Sequence, residues 1–183
     1  MRVMYLITLL GVAACRAQSS DAHPARASDS TIVSVANEAP AVDTTPPAQT
    51  PASGMDFFSA TDLAGAASAI SHGTSTARIL LRHPDRYYVE ARRVANGVPE
   101  VHDDWIDVTT VQAGRATLLT GSTVRGSHVE TPGEHRGGTI DGGARRTIAT
   151  GDFFVIPSGM AHQYQVARGD SLRYLTVKVR RTR

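Results

Sequence analysis

Residues 151–162 read Gly151-Asp-Phe-Phe-Val-Ile-Pro157-Ser-Gly159-Met-Ala-His162, and the order of residue types in this run decides how the chain folds. A small residue opens it, an apolar stretch from Phe153 to Ile156 has the length of a buried strand, and a proline and a glycine then reverse the chain. Gly159 can take the positive φ that a tight turn needs, while Pro157 fixes the angle at which the strand meets it. One imidazole follows at the start of the next strand. A reversal of this kind aims His162 into whatever the sheet encloses.

Working outward, short strand signals recur with turn residues between them, the pattern of an all-β sandwich or barrel. Arg78 to Arg82 and Tyr87 to Val94 are separated by His83-Pro84-Asp85 and closed by Asn96-Gly97. Trp105 to Gln112 and Arg115 to Thr120 follow, with Gly114 as their turn. Later come Gln163 to Val166 and Leu172 to Val179, the last with Leu175, Val177 and Val179 on one side. Ahead of the strands, Ser59 and Asp62 have the spacing of a capping box, and Leu63, Ala66, Ala67 and Ile70 recur at helical spacing. This predicts one amphipathic helix over residues 60–71, ended by Gly73 and lying across one face of the barrel.

The Gly151, Pro157, Gly159 and His162 spacing resembles the second motif of the cupin superfamily, with Val166 standing where that motif commonly has asparagine. Upstream, the partial first motif places Glu100 and His102 at its two histidines, Asp107 at its acid and Gly114 at its glycine. Gly133-Glu134-His135-Arg136-Gly137 and the ending Leu172 to Val179 are similar to those of small single-domain bacterial cupins, over residues 55–180. The resemblance implies a cupin-type double-stranded β-helix (jelly-roll) barrel preceded by the short helix. It also implies a site for one metal ion or small ligand inside.

Strand alternation lets Glu100 and His102 both point inward, with Asp107 from the following strand and His162 from the far side of the barrel. Two imidazoles and two carboxylates suit iron, manganese, nickel or zinc. In an alternative set, His102, Asp104 and His162 form the two-histidine, one-carboxylate pattern of non-haem iron oxygenases; this resembles the iron and 2-oxoglutarate dioxygenases, and the resemblance implies that Arg173, eleven residues after His162, holds a cosubstrate carboxylate. Glu134 and Arg136 alternate around His135, so both can face one way as an ion pair or a ligand clamp. The segment 121–151 is expected to fold over the barrel mouth.

The N-terminus reads as a signal: Arg2, an apolar run from Val3 to Val12, then Val12-Ala13-Ala14-Cys15, similar to the lipobox of bacterial lipoproteins. Lipidation of Cys15, the only cysteine, would anchor the protein by lipid in the periplasm or at the cell surface; the competing reading is a secreted protein cut after Ala17. Residues 1–14 are then the signal peptide, 15–54 a tether rich in proline, alanine, serine and threonine, and 55–183 the barrel domain. A formal net charge of +2 over 183 residues gives no electrostatic case for nucleic acid. Three functions stay open: a barrel that binds a small polar or carboxylate-bearing molecule; a metal-dependent oxygenase, isomerase or lyase with Glu100 as fourth ligand or general base; and a partner-binding lipoprotein without chemistry. Homodimerisation by sheet pairing is a further expectation.

Overall fold

A computed structural model describes residues 41–43, 54–70 and 76–182; Cys15, the signal segment, Gly73 and most of residues 15–54 lie outside the described residues. Among the described residues, no helix is long and apolar enough to cross a membrane. The fold is all-β, a curled antiparallel sheet forming a half-barrel with one short helix ahead of it.

The helix, α1 (Ala60–Ala69), starts on a capping box: Asp62 N–H donates to the Ser59 side chain, and the Ser59 N–H donates to the Asp62 carboxylate. Ala66 and Ala67 are its buried residues, and the C-cap Ile70 is buried as well. A staple that sequence did not signal holds the segment before it. Asp56 accepts from Arg86 Nε at 2.7 Å and Tyr88 OH at 2.8 Å, and lies 2.9 Å from His83 Nε2. The Arg86 guanidinium, with these neighbours, holds the Asp56 carboxyl well below the usual carboxylate range. Within the stretch expected as the tether, β1 (Ala41–Asp43) pairs in parallel with the start of β2 (Thr76–Arg82).

From β2 the sheet continues through β3 (Arg86–Arg93) to the last strand, β13 (Leu172–Arg180), and then to β5 (Trp105–Gly121). The two strands expected around Gly114 are therefore one. Leu172 pairs with Gly114, Arg173 with Ala113 and Tyr174 with Val111, so Gln112 is left over as a bulge. A bulge inserts one residue and switches which side chains face inward. Asp107, Thr109 and Val111 consequently share an interior with Ala116 and Leu118, odd positions before the bulge and even positions after it. Gly114 has φ +80°, and a Cβ there would lie 1.9 Å from the Ser171 carbonyl oxygen, so only glycine permits this close approach.

The second half of β5 pairs with β10 (Ala144–Ala149) and β12 (Ala161–Gln165), and the first half with β11 (Phe153–Ile156). Beyond β12 come β4 (Glu100–His102), β8 (Glu134–Arg136) and β7 (His128–Thr131). The segment expected to cover the mouth thus largely extends the sheet. Its remaining pair, β6 (Val124–Arg125) with β9 (Thr139–Ile140), packs Ile140 against Leu119 and Ala161 in a small second core. The main core joins Val111, Leu118, Ile148, Ile156, Leu172 and Tyr174.

On β3, Tyr87, Val89, Ala91 and Arg93 face the interior cavity, so Glu90 faces the other way, on the strand against which α1 lies. Glu90 is fully buried, with Arg173 Nη1 3.6 Å away. Arg173 therefore serves Glu90 on the outer face and does not line the cavity. Burial pushes the Glu90 carboxyl up to about 7, and Arg173 opposes this only in part. A folded-state value above the unfolded one means stability is greatest below pH 4.5 and is lost as pH rises through 7. The full loss is about 3 kcal/mol. Glu90→Gln is expected to remove this dependence, so that the variant gains on the parent between pH 5 and pH 8 in urea unfolding; parallel profiles would refute it.

Candidate metal centre

The Pro157-x-Gly159 reversal forms as its residue types dictate. Met160 N–H donates to the Pro157 carbonyl at 3.2 Å, and Gly159 takes φ +78°. The Gly159 N–H then donates to the His102 carbonyl at 2.8 Å, tying the turn to β4. This seats His162 beside β4 rather than on the far side of the barrel: His162 and Glu100 are register partners. Asp107, near the start of β5, is the residue that reaches across from the other part of the sheet. Val166 is buried in the core, and its N–H is satisfied by the Asn96 side chain at 2.9 Å.

The two imidazole rings lie 5.1 Å apart, centroid to centroid. His102 Nε2 is 3.6 Å from both Glu100 Oε2 and Asp107 Oδ2, and His162 Nε2 is 4.0 and 3.8 Å from the same two oxygens. Among the described residues, Glu100, His102 and His162 each offer a ligand atom within 4.8 Å of the others. All three are buried, as is Asp107.

Both rings are fixed in the tautomer that metal ligation requires. His162 Nδ1–H donates to the Met160 carbonyl at 3.2 Å, which leaves the Nε2 lone pair facing the site, buried and without a hydrogen-bond partner. Burial pushes His162 down to about 4, against the pull of Asp107, so this ring is neutral near pH 7. His102 Nδ1–H donates to Glu134 Oε2, leaving its Nε2 lone pair on the same point. Carboxylates that orient ligating imidazoles in this way are a regular part of metal sites.

Glu134 and Arg136 do face one way, but each serves β4 rather than the other. Register pairs His102 with Glu134 and Glu100 with Arg136. Arg136 Nη1 donates to Glu100 Oε1 at 2.9 Å, and Arg93 Nη2 reaches the same oxygen at 3.4 Å. Burial alone would push the Glu100 carboxyl up; the two guanidiniums and the imidazoles outweigh it and hold the group far below the usual carboxylate range. A carboxylate pinned in this way is a weak proton acceptor, which argues against Glu100 as a general base. Asp104 lies in the turn after β4, where its carbonyl accepts from Arg181 N–H, and the carboxylate near the two imidazoles is Asp107. His135 points away and meets Asp103 at 3.1 Å, and His128 is exposed.

Two participants were not read from the sequence. Arg93 is buried, and Gly97 makes room for it: a Cβ at Gly97 would lie 2.6 Å from Arg93 Nη1. Lys178 faces inward from β13, opposite Asp107 in register; it donates to His102 Nε2 at 2.6 Å and forms an ion pair with Asp107, Nζ to Oδ1 2.8 Å. The side of β13 that carries Leu175, Val177 and Val179 is the outer one. The only signal for Lys178 was a charge on the opposite side of an alternating strand.

A cavity of about 160 Å³ opens beside these groups. Ala77, Ile79, Val89 and Ala91 give it an apolar wall, while Arg82, Arg93, Arg136 and Lys178 outnumber Glu100 and Asp107 in its lining.

No protein-family model matches the chain, and no curated protein matches it. Among solved structures, it is similar to the polyketide cyclase RemF from Streptomyces resistomycificus at 19% identity, covering 59% of this chain and 68% of that one, TM-score 0.43. It is also similar to an uncharacterized conserved protein with a double-stranded β-helix domain from Klebsiella pneumoniae (16% identity, 59% and 78% covered, TM-score 0.44). A third is a cupin 2 conserved barrel domain protein from Rhodopseudomonas palustris (20% identity, 59% and 63% covered, TM-score 0.41).

Proposed function

We propose that the chain is a cupin-type barrel protein that holds one divalent metal through His102, His162, Glu100 and Asp107 and binds a small carboxylate-bearing molecule in the adjoining cavity. The observation that carries this is the convergence of two Nε2 lone pairs, one of them buried with no hydrogen-bond partner, on two carboxylate oxygens. Mixed nitrogen and oxygen ligands fit iron, manganese, nickel or zinc. When bound, such an ion supplies Lewis acidity toward a ligand oxygen. The chain's own groups do the rest: the imidazoles are held in one tautomer, and the cationic lining attracts an anion.

Cavity size and lining narrow the ligand. About 160 Å³ is close to the ~150 Å³ that accommodates benzene, and an apolar wall beside an arginine-rich end suits a compact body with one acidic head. Cys15 supports the further reading that this barrel is tethered by lipid to a membrane facing the periplasm or the cell exterior.

Full-length protein purified from membranes is expected to carry about one equivalent of divalent metal by elemental analysis and a diacylglyceryl mass on Cys15. Millimolar benzoate should raise its melting temperature while neutral benzyl alcohol leaves it unchanged. Metal-free protein that cannot be loaded would overturn the metal reading, and equal shifts with both probes would overturn the carboxylate reading.

A further inference from the structure

Lys178 has no assigned part in a metal site, yet its ammonium lies at the centre of this one. Nζ donates to His102 Nε2 at 2.6 Å and lies 2.8 Å from Asp107 Oδ1 as an ion pair, from a side chain that is 12% exposed. The lysine is placed there by the sheet: Lys178 is the register partner of Asp107 on one side and of Tyr87 on the other, and it projects into the same interior as Thr176 and Tyr174. Glu134 on Nδ1 fixes the His102 tautomer, so the Nε2 lone pair is the ring's one remaining acceptor. A single lone pair cannot serve both a lysine proton and a metal ion.

We propose that Lys178 is the resident cation of the centre: its ammonium holds the ligand set together when no metal is present, and a divalent ion binds only by displacing it. The inference rests on the metal reading above and adds a residue and a consequence to it. An interior with His102, Asp107, Glu100 and His162 but no cation would leave buried carboxylate charge without full compensation, and Lys178 supplies that charge from within the chain. Arg93 and Arg136 cannot take over, because both are committed to the far oxygen of Glu100. Displaced from His102, Nζ turns toward the cavity that Lys178 already lines, where it joins Arg93 and Arg136 as a partner for an anionic head group. Metal loading and ligand affinity are then linked through one side chain.

The test compares zinc binding by full-length wild-type protein and Lys178→Met, with melting temperatures as the folding control. The variant keeps the length and packing of the side chain and removes only the competing cation, so its zinc affinity should rise at least tenfold. Separately, reductive methylation of wild-type protein read by mass spectrometry should label Lys178 faster in the presence of zinc than in its absence, since displacement frees the amine. Equal zinc affinity in both proteins, or labelling that zinc leaves unchanged, would overturn the displacement and leave the metal site standing. Absence of zinc binding in both would overturn the metal reading and this proposal together.

Discussion

His162→Ala is expected to abolish stoichiometric metal binding, and His102→Ala to do the same, each lowering zinc affinity by more than the roughly 10–100-fold that loss of an outer partner costs. The two rings contribute the soft part of the ligand set, and among the described residues the strands around them leave no third imidazole to substitute: His135 points away toward Asp103 and His128 is exposed. Glu134→Gln provides the graded comparison. It removes the charge that orients His102 without removing a ligand, so its loss should fall within that 10–100-fold range. Competition with a chromogenic chelator measures all three. A His162→Ala protein that binds zinc as tightly as the parent would show that the convergence of these side chains serves packing and not a metal.

Glu100→Ala is expected to be the most destabilising single change in the interior, costing about 3–5 kcal/mol, because it strands Arg93 and Arg136 without their shared carboxylate. For a protein of this size that corresponds to a melting-temperature drop of roughly 10 °C or more. The sign of the pH dependence follows from the depressed carboxyl: its contribution is complete above pH 4.5 and is lost only as pH falls through a folded-state value far below it. Adding Arg93→Met should recover part of the loss, since it removes one of the two uncompensated charges. Urea unfolding of the single and double variants decides it. A loss under about 1 kcal/mol would show that the guanidiniums are hydrated from the cavity and owe Glu100 little.

Where residue type alone constrains the backbone, the sequence was readable. Pro157 and Gly159 specified the reversal, Ser59 and Asp62 specified the start of α1, and period-two alternation placed Glu100 with His102 and Glu134 with Arg136. What escaped depended on partners distant in the chain. Gly114 has the composition of a turn but passes through β5 as a close contact with Ser171, a fact fixed by β13 and not by its neighbours. The bulge at Gln112 then reverses facing, so no simple alternation links Asp107 to Leu118. Lys178 was hidden for a related reason: the inner side of β13 begins in the core with Leu172 and Tyr174 but ends polar at the cavity with Thr176 and Lys178, so alternation alone did not mark the lysine as interior. Asp56 and Glu90 carried no local signal, because each acquires its role from residues that only the fold brings near.

β5 also acts as a spacer of fixed length. Asp107 belongs to the part of it that pairs with β13, while Thr120, the register partner of His162, belongs to the part that pairs with β12. One unbroken covalent run therefore gauges the separation between an acid and an imidazole that meet in the same centre. Removing a single residue from that run would rotate Asp107 to the opposite face while His162 stayed where it is. Length changes that surface loops absorb freely would thus dismantle this centre if they fell inside β5.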